Sequence, residues 1–182
     1  MNSKKVFSEY LSIFFALVFI DKIFLNFADL SNDTNLLAGI ASNPFASLNG
    51  ESPEPQMPPL LGLALYPAHL LSVSGMSFIM ALRSILFLYS LVTVFLLAKI
   101  FVLNSRANWF VRIALYVNLS VIVLILSQED ILGYLFIAGV VLNIYLEKFR
   151  TALLLLVIAS LVAKILFLVL ILPLAYFCIR KQ

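Results

Sequence analysis

The sequence predicts an all-α, polytopic membrane helical bundle. Three observations lead there. The chain has 182 residues, of which 63% are hydrophobic, and its mean hydropathy is +1.09. Soluble domains average about 45–50% apolar residues, so too little polar surface exists to face water on all sides. Second, the long apolar runs lack the period-2 alternation of a membrane barrel. Helices remain, because lipid offers the backbone no other partner for its hydrogen bonds. Third, the charges are sparse and fall between the apolar runs: 12 Lys and Arg against 9 Asp and Glu. A net charge of +3, dispersed along the chain, argues against nucleic acid and suits membrane orientation. One cysteine, Cys178, excludes an internal disulfide and a cysteine-built metal site.

The first span is expected at about 6–27. Lys4 and Lys5 precede its apolar run, as in a signal peptide, but no clean cleavage site follows. An uncleaved first span is therefore expected. Asp21 and Lys22 lie towards its far end. A loop at 28–75 comes next. Its polar part, 28–58, carries Asp29, Asp33, Glu51 and Glu54 and no Lys or Arg. Within it, Asp33 to Ser42 reads as a short interfacial helix capped by Asp33. A proline-rich stretch leads to "LLGLALYPAHLLSVSG", Leu60 to Gly75. Sixteen residues with Pro67 among them fall short of the ~20 that a span requires. A re-entrant or surface-lying helix fits better.

Further spans are expected at 76–98, 110–126 and 131–146, and an apolar stretch at 151–178 carries Lys164 near its middle. That stretch is either one long tilted helix or two short helices turning at Lys164. If 60–75 does not cross, Lys4, Lys5, Lys99, Arg106, Arg112, Lys148 and Arg150 fall on one side. The positive-inside rule makes that side cytoplasmic, with the N-terminus. Asp29, Asp33, Glu51, Glu54, Glu129 and Asp130, six of the nine carboxylates, then face outwards. If 60–75 crosses, the basic cluster at 99–112 goes outside, which the rule disfavours.

The order of these features resembles the N-terminal membrane module of GT-C glycosyltransferases, which use polyprenyl-phosphate-linked sugars. The resemblance rests on Asp33 in "SNDTNLLAGIASNPF", on Asn43-Pro44-Phe45, and on "MPPLLGLALYP" at Met57 to Pro67. It continues with Arg83 in "ALRSILFLYSLV", with "SQEDIL", and with Lys164 in "LLLVIASLVAKILFLVLILP". It covers almost the whole chain. Phe45 stands where the family has Tyr, and the "QED" turn carries one residue more. Such enzymes usually continue into further spans, so the chain is short for a complete one: a fragment, a reduced protein, or one piece of a split enzyme completed by a partner subunit. The multi-spanning scaffold subunit of GPI transamidase shares a similar loop and is the non-catalytic alternative. A small transporter-like protein ranks third, because no internal inverted repeat is evident.

The resemblance implies specific roles. Glycosyl transfer needs a base for the acceptor hydroxyl. It also needs positive charge, or a divalent metal held by carboxylates, at the leaving phosphate. Asp33 would be the base and Asp130 the second carboxylate, with Glu129 beside it. Arg83 and Lys164 would contact phosphate. Membrane lipids and a polyprenyl-phosphate sugar are the implied partners. Each residue also has a plainer reading. Asp33 caps a helix, and Glu129 or Asp130 caps the helix beginning at Ile131. Being adjacent, these two cannot share one helix face. Arg83 and Lys164 snorkel to the surface. His69, the sole histidine, is structural or interfacial, and Trp109 is an interface anchor. Asn32-Asp33-Thr34 matches the glycosylation pattern, whereas Asn118-Leu119-Ser120 matches it inside a span.

Overall fold

The computed structural model describes residues 3–20, 34–45, 58–103, 109–126 and 130–163, with 170–171, 173 and 175–176. Seven α-helices account for most of them. They are α1 (Ser3–Ile20), α2 (Thr34–Ser42), α3 (Leu61–Val73), α4 (Phe78–Leu103), α5 (Trp109–Val121), α6 (Asp130–Tyr145) and α7 (Phe149–Val162). A π-helical turn, Ile122–Leu126, extends α5. No strand occurs among the described residues.

The axis of the bundle is α4. At 26 residues it is about 39 Å long. It alone among the described helices is long and apolar enough to cross a membrane; α3, α5, α6 and α7 are shorter apolar helices. Its inner face buries Leu82, Leu86, Ser90, Thr93, Val94 and Ala98. Its outer face is apolar too: Met80, Leu88, Val92 and Phe95 are all exposed. A surface helix of a water-soluble domain would show charge there.

Contacts along α4 fix the direction of its neighbours. Tyr10 meets Ser90 and Phe14 meets Phe87 at 4.4 Å between ring centroids, so α1 runs antiparallel to α4. The connections at 104–108 and 127–129 are too short to cross the bundle, since each residue reaches at most ~3.6 Å. Therefore α5 descends beside α1 and α6 ascends beside α4. Gly139 on α6 faces Leu96 on α4 and Leu155 on α7; a methyl group there would lie 3.2 Å from Leu155. The contact with Leu155 is tight, while that with Leu96, at 3.9 Å, is ordinary.

This order gathers charge at one end. The start of α1, the end of α4, the start of α5 and the α6–α7 turn lie together. They carry Lys4, Lys5, Lys99, Arg112, Lys148 and Arg150, six of the seven described basic residues. We call this the basic end. The opposite end holds the start of α4, the start of α6, the close of α7 and the α3–α4 turn. Grouping 99, 112 and 148–150 with the N-terminus is the arrangement expected when 60–75 does not traverse the bundle.

Segment 60–75 is indeed a helix, α3, and it runs back along only the first half of α4. The Tyr89 hydroxyl donates to the Ala64 carbonyl at 2.6 Å. Pro67 lies inside α3 and cannot donate to Leu63. The helix closes in a Schellman turn. Met76 N–H donates to the Leu71 carbonyl and Gly75 N–H to that of Ser72, with Gly75 at φ 106°, where glycine is favoured. The α6–α7 turn has the same form, with Lys148 N–H on Asn143 and Glu147 N–H on Ile144. There the left-handed position is occupied by Glu147 at φ 58°.

The helix bounds differ from the expected spans by a few residues. The run 110–126 contains a π turn, and the helix expected at 131 begins at Asp130. Residues 21–33, 46–57, 104–108, 127–129 and 164–169 lie outside the described part. The choice between one helix and two across Lys164 therefore falls beyond it.

Candidate functional site

Of the five predicted site residues, Arg83 and Asp130 are described; Asp33, Glu129 and Lys164 lie outside the described residues. Arg83 is half-buried in the second turn of α4, and Asp130 is half-buried as the first residue of α6. A carboxylate suits that position, since the amide dipoles of a first turn favour negative charge. α6 runs in the same direction as α4 and packs along it. The two residues thus share the end opposite the basic cluster, on helices that pack against each other.

Three segments quoted for the family resemblance converge in space. Asn43-Pro44-Phe45 follows α2 directly. Gly62, in the "PPLLG" segment, packs flat against it. A β-carbon on Gly62 would lie 2.7 Å from the Pro44 Cα and 2.9 Å from the Ile40 and Pro44 carbonyl oxygens. Only glycine permits two backbones to meet so closely. Leu60, beside it, donates its N–H to the Leu161 carbonyl at 2.8 Å, which ties this segment to "IASLVA" at the close of α7. The junction buries Leu37, Ile40, Ala41, Leu61 and Leu65. It lies near the height of α6's first turn, because Leu161 leads back along α7 past Leu155 and Gly139.

No family model, curated protein or solved structure matches the chain. Among the described residues no group of three or more His, Cys, Asp or Glu could hold a metal ion.

A second polar feature escaped the sequence reading. It runs along the interface of α1, α4 and α5. Glu9 Oε2 lies 3.6 Å from Arg112 Nε, an ion pair in which Arg112 is 13% exposed. The Tyr10 hydroxyl lies 2.6 Å from Ser90 Oγ. Ser90 already donates to the Phe87 carbonyl at 2.7 Å, so Tyr10 is the donor between them. Tyr10 packs edge-on against Tyr116 at 5.9 Å, and the buried Tyr116 hydroxyl has no hydrogen-bond partner among the described residues. Ser120 donates to the Tyr116 carbonyl. Arg112, Tyr116 and Ser120 recur every fourth residue on α5. That spacing puts them on one helix face and was the available signal. His69, on α3, lies one turn from Tyr66 with ring centroids 6.0 Å apart.

Proposed function

We propose that the chain is a membrane-embedded, multi-pass module of a GT-C-like glycosyltransferase. It transfers a sugar from a polyprenyl-phosphate-linked donor at the end of the bundle opposite the basic cluster. Asp33 acts as base and Asp130 as second carboxylate, with Glu129 beside it; Arg83 and Lys164 contact the phosphate. The membrane part of this reading is supported by large apolar side chains on the outward faces. Phe15, Phe19, Met80, Phe95, Phe110 and Leu154 are all more than half exposed. Such a surface in water would drive association. In lipid it is the ordinary condition.

The observation that carries the glycosyltransferase part is the convergence of the three family-like segments. Residues 43–45, 60–62 and 159–163 pack together near the start of α6, and Arg83 lies in the adjacent part of α4. Asp33 immediately precedes α2, and Lys164 immediately follows the last residue described at the end of α7. Both are thus attached in sequence to that junction. The phosphate roles follow from chemistry: an Arg fork matches phosphate bidentately, and positive charge stabilises a departing phosphate.

The test is sugar transfer by membranes holding the full chain with its associated subunits. Asp33→Asn and Lys164→Ala, expressed at wild-type levels, are expected to lose at least tenfold in transfer. A positioned base contributes about 100-fold or more, so tenfold is a conservative threshold for Asp33→Asn, and the same threshold is set for Lys164→Ala. Normal transfer in both variants refutes the assigned roles and leaves the scaffold reading.

A further inference from the structure

A groove of about 500 Å³ opens between α1 and α4, lined by Lys4, Phe7, Ser8, Ser12 and Phe15 on α1 and by Phe95 on α4. Its size lies within the ~300–1,000 Å³ typical of small-ligand sites. Ser8 and Ser12 are one turn apart and small, while Phe7, Phe15 and Phe95 are large. The groove therefore has a narrow floor and aromatic walls. It opens at the basic end, runs down to Phe15 beside the Phe14–Phe87 contact, and does not depend on sugar transfer.

We infer that this groove binds one acyl chain of an anionic phospholipid, with the phosphate at Lys4 and Lys99. Length and charge both point to that occupant. From Lys4 to Phe15 is eleven residues of helix, roughly 16 Å. That is about half the ~30 Å hydrocarbon thickness of a bilayer, the depth of a single leaflet. Positive charge marks only the mouth. Lys4 lines it, and the Lys99 ammonium sits 4.5 Å from the Phe95 ring centroid, holding a second cation over the same wall. Below the lysines the lining is Phe, Leu and Ser, which suits a chain rather than a second headgroup. A helix from a second copy would set Lys4 against like charge and would need a groove running the full height of the bundle.

The experiment is lipid competition on the full chain purified in detergent. Equal phosphatidylglycerol and phosphatidylcholine are supplied, and retained lipid is counted by native mass spectrometry. A basic residue at a membrane surface favours anionic lipid by about fivefold, so two predict a preference of about 25-fold. Lys4→Gln/Lys99→Gln is expected to abolish the preference with thermal unfolding unchanged. Ser12→Phe, with both lysines intact, is expected to reduce retention of both lipids by filling the groove. Equal retention of the two lipids by the wild-type chain overturns the inference, whether or not the variants fold. A preference surviving the double variant does the same, as does a dimer cross-linked through Ser12→Cys that excludes lipid.

Discussion

Replacing Gly62 by Ala adds one methyl group where α3 meets the backbone after α2. The three atoms nearest that methyl are all backbone: Pro44 Cα at 2.7 Å and the Ile40 and Pro44 carbonyl oxygens at 2.9 Å. No side chain can rotate away, so α2 must shift as a body. Overpacking costs ~1–3 kcal/mol, and the upper part of that range applies when only rigid atoms are met. Against it, Ala is favoured over Gly in a helix by about 1 kcal/mol. The net loss in docking α2 is about 1–2 kcal/mol, which raises the undocked population roughly 5–30-fold. Ala41 is 0% exposed at this junction. A cysteine there, in a Cys178→Ser background, reports undocking by its labelling rate. That rate is expected to rise 5–30-fold with Gly62→Ala. Gly39→Ala is the matched control, because a methyl group there meets nothing within 4 Å; labelling should stay the same or slow. An unchanged rate in Gly62→Ala would refute the close approach of the two backbones and, with it, the convergence on which the functional proposal rests.

Three other outcomes follow from the geometry. Glu147→Gly relieves a left-handed conformation that costs ~1–2 kcal/mol in a residue with a β-carbon. Allowing for the added freedom of glycine in the unfolded chain, it should stabilise by about 0.5–1 kcal/mol, read by thermal unfolding in detergent. Tyr10→Phe removes the donor to Ser90 and should destabilise by about 1 kcal/mol. Tyr116→Phe removes a buried hydroxyl that lacks a partner and should be neutral or stabilising; a larger loss from Tyr116→Phe than from Tyr10→Phe would contradict the described pairing. Finally, Glu9→Gln and Arg112→Gln should each destabilise. Their double-mutant cycle should return about 1 kcal/mol or more of coupling, since the pair is mostly shielded from solvent.

Much of the architecture was legible because hydropathy is a local property. Apolar runs marked the helices. Pro67 and the shortness of 60–75 set it apart as a separate helix, α3, which lies along half of α4. Helix neighbours were less accessible. Tyr10 and Ser90 are 80 residues apart, and no local pattern pairs them. Arg112 was read only as an orienting charge, although its spacing with Tyr116 and Ser120 put a polar face on α5 in view. Gly62 was one more glycine in an apolar run until the backbone after α2 came to rest on it. Asp130 was expected just before a helix and instead opens it. The π turn at 122–126 was invisible, because apolar β-branched residues fit either helical form.

The proposed function requires one orientation: the basic end on the cytoplasmic face and the end bearing Arg83 and Asp130 on the other. Cysteine labelling in a Cys178→Ser background tests it most directly, with Glu129→Cys and Asn104→Cys probed by a membrane-impermeant reagent on intact cells and on broken ones. The account predicts that position 129 labels from outside intact cells and that position 104 labels only after breakage. Labelling of position 129 from the cytoplasmic side alone would contradict it.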